Sequence, residues 1–158
     1  MFTEEIDYWE DKILSWSDQW GLDPNLVATV MQIESCGNPR ALSSAGAAGL
    51  FQVMPYHFQA GEDPFHPGLN ARRGLAYLKQ SLTKGESSKL ALAGYNGGIH
   101  GASRPESTWP AETQRYVYWG EKIYQDALAG KKHSSRLDEW LSAGGSTLCS
   151  QAARQQRR

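Results

Sequence analysis

Apolar residues recur along this chain at intervals of three and four rather than two, and the elements they predict are nearly all helices. Ile6, Trp9, Ile13, Trp16 and Trp20 share one stripe. They predict an amphipathic helix from about Thr3 to Trp20, with Gly21 as its stop. In "DPNLVATVMQIES", Asp23 is placed to cap, Pro24 fits the first helical position, and Val27, Val30, Met31 and Glu34 share a face. That face is apolar until its last member. Gly37 and Pro39 then end the helix. From Ala41 to Gly49 small residues are too dense for a packed helix and predict a compact loop or short hairpin.

Leu69, Leu75, Leu78 and Leu82 give the next helix its buried face. "SSKLALAGYNGG" predicts a short helix capped at Ser87 or Ser88 and closed by a Gly97-Gly98 turn. Pro110 and Glu112 mark the start of a long helix in "TWPAETQRYVYWGEKIYQDALAG". "SSRLDEWLSAGG" and "STLCSQAARQQ" predict two short closing helices, with Arg154, Arg157 and Arg158 fraying into solvent. The fold class is mostly α, in one domain.

Composition narrows the function. The 158 residues make one domain with a real core, 40% hydrophobic and 21% charged, at a formal net charge of −1. Nothing forms the basic stripe of a nucleic-acid binder, so no nucleic-acid partner is expected. Nothing approaches the roughly 18 consecutive apolar residues of a membrane span. The start, "MFTEEIDYWEDK", is acidic and amphipathic rather than a signal peptide. The 6 Trp and 7 Tyr suit either a helical core or a sugar-binding groove, the core being the default. His57, His66, His100 and His133 lack paired ligand spacing, so no metal site is expected, and "YHF" and "FHP" fit loop packing.

Glu34 raises the sharper question. It lies at a helix C-terminus, where the macrodipole disfavours negative charge, beside Val30 and Met31 on an apolar face. Both effects raise a carboxyl pKa toward the range a general acid needs. The competing reading is an incidental surface glutamate. Cys36, two residues on, tempts a thiol-nucleophile reading, but a helix C-terminus disfavours a thiolate and no His is near in sequence.

Around Glu34 the residues run "ES.GNP.A.S..GA.GL.Q.MP", from Glu34 to Pro55, followed by "AGYNGG" (Ala93 to Gly98) and "ETQRYV" (Glu112 to Val117). These three ordered blocks resemble the lytic transglycosylase family, the SLT-domain, goose-type-lysozyme-like enzymes of glycoside hydrolase family 23. The resemblance covers roughly residues 22 to 128. It divides the chain into a core at 22–128, an N-terminal amphipathic helix at 1–21 and a C-terminal helical extension at 129–158. It implies a lysozyme-like helical domain with a small loop or hairpin after the helix that carries the acid.

By resemblance Glu34 is the single catalytic acid/base. Ser43 is expected beside it, with Gln52 and Met54 lining the glycan groove. Tyr95 and Asn96 are expected across the cleft, Glu112 to join from the long helix, and Tyr116 to support from one turn later. Phe51 stands where the family often has Met, and Gly97-Gly98 replaces the commoner Ala-Gly. Independently, the Gly46–Gly49 loop offers backbone amides without side-chain bulk.

The implied reaction cleaves the β-1,4 bond between N-acetylmuramic acid and N-acetylglucosamine in peptidoglycan strands. It needs no cofactor and leaves a 1,6-anhydromuramic acid end. A muramidase-type hydrolase is the alternative; its nearest second acids in sequence are Glu62 and Asp63 in "GEDP". A non-catalytic glycan-binding module is the other alternative. The chain is expected to act as a monomer outside the cytoplasm, with its export signal outside this sequence. In that oxidising setting an even pair of cysteines, Cys36 and Cys149, is expected to form one bridge.

Overall fold

Helix α3 (Pro24–Ser35) carries Glu34 and is buried nearly all round, from Leu26 to Gln32 without interruption. The predicted stripe of Val27, Val30 and Met31 is fully buried, but so is the opposite side, because other helices surround this one. In the computed structural model, which describes residues 1–157, α2 (Glu10–Trp20), α7 (Ala111–Leu128) and the C-terminal α9 (Ser146–Gln156) all pack on α3. Its start is set locally as expected: the Asp23 carboxylate accepts from the Asn25 N–H at 2.8 Å, with Pro24 in the first turn.

The N-terminal helix is broken where one continuous run was predicted. The short α1 (Glu4–Asp7) ends in a turn at Tyr8 and Trp9 before α2 begins. Trp9 N–H donates to the Ile6 carbonyl, a tightened turn, and its indole N–H donates to Gly37 O at 2.9 Å. The bend lets a large ring be buried against the turn that follows Glu34. Gly21 does close α2, in the left-handed region, with Leu22 N–H reaching Ser17 O.

α4 (Pro67–Gly85) and α5 (Ser88–Gly97) form an antiparallel pair, and α5 packs on α7. Leu75 and Leu78 are wholly buried on α4, flanked by Ala71, Asn70 and Ser81, whereas Leu69 and Leu82 are only half-buried. The buried face is therefore turned toward two polar residues, each with backbone partners to satisfy. Ser87 caps α5 by accepting from Leu90 N–H. A short α6 (Ile99–Ala102) leads toward α7, whose buried stripe runs Thr113, Tyr116, Val117, Gly120, Ile123 and Asp126.

Helices α8 (Ser135–Trp140) and α9 close the fold, joined by a widened turn at Leu141–Gly145 with its bend at Gly144. They build a second apolar cluster of Ile123, Leu137, Trp140 and Ala152 around the Cys36–Cys149 disulfide. The tail does not fray where expected: Arg154 lies within α9, and Gln156 donates to Glu5 O and Gly37 O. Arg157 is exposed, and Arg158 lies outside the described residues. No helix among the described residues is long and apolar enough to cross a membrane.

Candidate active site

The last turn of α3 is fastened to the following loop by its own side chains. Ser35 Oγ donates to Leu50 O at 2.7 Å and accepts from Gly37 N–H, while Cys36 closes the helix in the left-handed region. The loop folds as two single β-bridges, Leu42 with Ala48 and Ala48 with Val53, which realises the predicted compact hairpin. Ser43 Oγ accepts from Ala47 N–H at 3.0 Å, leaving its own proton free to point into the cleft. Gln52 donates to Ala41 O and Gly49 O, so its amide holds the loop as well as lining the cleft.

Asn70 on α4 pins this loop from below. Its carbonyl accepts from Phe51 N–H at 2.9 Å, and its amide donates to Ala48 O and Pro64 O. Gly49 must be glycine at this contact: it has a φ of 75°, and a Cβ would stand 2.4 Å from the Asn70 amide nitrogen.

The cleft so formed holds about 530 Å³. Glu34, Ser43, Gln52 and Met54, from α3 and the loop after it, line it together with Tyr95, Asn96 and Glu112 from α5 and α7. Tyr116, the eighth residue expected there, does not line the cleft but is buried within the core. Asn96 accepts from the Thr113 hydroxyl at 2.8 Å, which ties α5 to the first turn of α7 and leaves the Asn96 amide free. Tyr95 donates to Phe51 O at 2.6 Å, so its ring bridges from α5 to the loop. A larger hollow of about 770 Å³ on the outer face of α7 is lined by paired charges such as Lys89–Glu106 and contains no strongly perturbed group.

Glu34 is the electrostatic centre of the cleft. Burial pushes its carboxyl up from 4.5 to about 8; a contact with the Tyr116 hydroxyl pulls it down, and the Glu112 charge pushes it up again. At neutral pH it therefore holds its proton. Tyr95 and Tyr116 are both pushed above the usual phenol range, by burial first and by the Glu34 charge second, so both stay neutral. The arrangement presents one buried, protonated carboxyl at the end of a rigid helix, open on one side to a groove. Such a group is able to donate a proton at neutral pH.

Glu62 and Asp63, the sequence candidates for a second acid, are committed elsewhere. Glu62 binds Arg73 through both oxygens, at 2.6 and 2.9 Å, and accepts from Gln59 N–H. Asp63 caps the next turn at Phe65 N–H. Arg73, Tyr77, His57 and Tyr56 line the cleft and were not expected there. "YHF" is loop packing only at Phe58, which lies on the core. Tyr77, an aromatic beside rather than within the apolar stripe of α4, was the signal available.

Comparison with known proteins agrees with this geometry. The transglycosylase SLT domain family model matches residues 11–116. The chain belongs to that family. A transglycosylase of Enterobacteria phage PRD1 is 38% identical over 110 residues, covering 68% of this chain and 40% of that protein. The membrane-bound lytic murein transglycosylase C of Actinobacillus pleuropneumoniae is 38% identical over 76 residues, 48% of this chain and 20% of that protein. The chain thus spans well under half the length of either relative. Among solved structures, an inactive mutant of the lytic transglycosylase Slt from Pseudomonas aeruginosa superposes with a TM-score of 0.62 at 23% identity. It covers 77% of this chain and 24% of that one, and establishes the shared helical fold of this SLT domain.

Proposed function

We propose that this SLT domain is a peptidoglycan lytic transglycosylase in which Glu34 is the single acid/base. The observation that carries the reading is one buried carboxyl, Glu34, held protonated near pKa 8 on the wall of the cleft, with Glu62 neutralised by Arg73. Glu34 gives its proton to the glycosidic oxygen between N-acetylmuramic acid and N-acetylglucosamine, and the bond from that oxygen to the muramoyl anomeric carbon breaks. The carboxylate left behind takes the proton of the muramoyl 6-hydroxyl as that oxygen closes on the anomeric carbon. One proton is lent and recovered, no water is consumed, and a 1,6-anhydro ring results. Neutral Tyr95 and the free Ser43 hydroxyl supply polar contacts beside the reacting sugar, and Gln52, Met54 and Asn96 hold the strand.

Relatives named as murein transglycosylases support the glycan substrate, and those named as membrane-bound, together with the disulfide, support work outside the cytoplasm. The same reading takes residues 22–128 as the catalytic core and 129–158 as a buttress behind the Glu34 turn. A hydrolytic outcome has one supporting observation: Glu112 is exposed, lines the same cleft and acts on Glu34 electrostatically. In that case it would activate a water. Mass spectrometry of fragments released from purified sacculi separates the two. Anhydromuramoyl ends without new reducing ends support transglycosylation; reducing muramoyl ends support hydrolysis by Glu34 and Glu112.

A further inference from the structure

Four rings run in sequence along one wall of the cleft, outward from Glu34. Tyr95, whose phenol feels the Glu34 charge, has its ring centroid 5.9 Å from Tyr77; Tyr77 lies 5.1 Å from His57, and His57 lies 4.7 Å from Tyr56. All three pairs are tilted by 46–52°, so no ring covers its neighbour's face as a stacked pair would. Tyr56 at the far end is 76% exposed. The short turn Pro55–His57, started by a proline directly after Met54, holds Tyr56 and His57 at the cleft mouth.

Exposure of a tyrosine alone means little. Tyr118 is also exposed, but the Arg136 guanidinium lies 3.5 Å over its ring and its hydroxyl meets Glu139. Tyr56 differs because it ends a continuous aromatic path from the candidate acid. We infer that Tyr56, His57 and Tyr77 form an outer glycan subsite, which stacks a neutral N-acetylhexosamine ring of the strand beyond the cleavage point. The inference rests on the glycan-cleaving reading of the cleft.

The chemistry favours a sugar ring. The C–H face of a pyranose is apolar with slightly positive hydrogens, and it suits the negative face of an aromatic ring. Phenol and imidazole edges remain for its hydroxyl and acetamido groups, and pockets for small ligands combine these two features. Burial pushes the His57 pKa down, so the imidazole joins the wall as a neutral ring. Arg73, the cation of this wall, has two nitrogens committed to Glu62, which favours a neutral sugar over an acidic one.

The test is a titration with chitohexaose, an uncharged β-1,4 N-acetylglucosamine oligomer, followed by calorimetry in the Glu34→Gln background so that nothing is cleaved. Tyr56→Ala is expected to weaken binding roughly 3- to 10-fold, the range of one aromatic contact, with an unchanged melting temperature. Tyr56→Phe, which keeps the ring, should restore it. Equal affinity of Tyr56→Ala and its parent, with chitohexaose still bound, overturns the subsite and leaves the proposed function standing. Failure of the parent itself to bind chitohexaose overturns both. A Tyr56→Phe variant as weak as Tyr56→Ala overturns stacking as the source of affinity.

Discussion

The Tyr116 hydroxyl, buried behind the cleft, acts on the Glu34 carboxyl in the sense opposite to burial. Burial drives Glu34 toward its protonated form, and Tyr116, one turn along α7 from Glu112, is the contact that stabilises its charge. The Tyr116 hydroxyl is buried and, among the described residues, has no partner at ordinary hydrogen-bond geometry, so it is free to turn to the Glu34 carboxylate once that forms. It is a poor partner for a neutral acid and a better one for the carboxylate that forms after proton transfer. Interactions that strengthen as charge develops are the ones that accelerate a reaction.

The pH profile of kcat/KM should report this balance. In the proposed mechanism the acid form of Glu34 is the competent one, so activity should hold below and decline tenfold per pH unit above a pKa of about 8. Tyr116→Phe removes the influence that lowers the pKa and should move the alkaline limb to higher pH. Glu112→Gln removes the charge that raises it and should move the limb lower. Limbs that coincide in all three proteins would show that Glu34 is not the titrating group.

Glu34→Gln should lower activity by at least about 10²–10⁴-fold, the usual loss of a general acid. The same change should alter stability in the opposite sense. The folded pKa of about 8 exceeds the ordinary 4.5. Below pH 4.5 both folded and unfolded chains hold the proton; between 4.5 and 8 the unfolded chain releases it first. Stability therefore falls as pH rises through that window, by an amount of order a few kcal/mol. Glu34→Gln should flatten that part of a melting-temperature-against-pH curve and melt higher than the parent at pH 8. A parent whose melting temperature rises from pH 5 to pH 8, with no change on substitution, would refute the burial of this carboxyl.

Much of the fold was legible because its signals are local. Asp23 with Pro24, Ser87 and Gly21 act within a turn of themselves, and each does in the structure what its position predicted. Glu34 was legible for the same reason, as one acid closing an apolar helix. The break at Trp9 was not, because its cause is the Gly37 carbonyl, 28 residues away. Nor was Asn70, a polar residue in an apolar stripe whose three partners lie in a loop that has no regular structure to predict. Tyr56, His57 and Tyr77 meet only after α4 folds back beside the loop, so no spacing in the chain announces them.

Asn70 should prove as sensitive as any apolar core residue. Asn70→Ala strands Phe51 N–H and Pro64 O and takes from Ala48 O one of its two donors, Val53 N–H remaining. At about 1–3 kcal/mol for each stranded group, a loss of about 3 kcal/mol or more is expected. In a chain of this length that lowers the melting temperature by roughly 6–12 °C. Asn70→Asp should be worse than its size suggests, since it turns a carboxylate oxygen toward two carbonyls. Thermal melts of both variants check this, and an Asn70→Asp protein as stable as the parent would contradict the hydrogen-bond assignment.

The Cys36–Cys149 disulfide joins positions 113 residues apart, two residues beyond Glu34 and in the middle of α9. Closing a loop of about that length stabilises by up to roughly 4–5 kcal/mol in the chain-entropy account. Contacts that do not need the bond remain after reduction. Gln156 still reaches Glu5 O and Gly37 O, and Ile123, Leu137 and Trp140 still surround the two sulfurs. A melting temperature lower by on the order of 10 °C under reducing conditions is therefore expected, with the folded enzyme still active at 25 °C. Gln32 separates the bond from its surroundings, because its buried amide donates to Cys36 Sγ at 3.1 Å. Replacing both cysteines by alanine strands that amide, whereas replacing both by serine gives it a hydroxyl oxygen. The serine pair should thus melt above the alanine pair, and both below the oxidised parent. If reduction left the melting temperature unchanged, the bond would contribute nothing, and the closing helices would hold the Glu34 turn by packing alone.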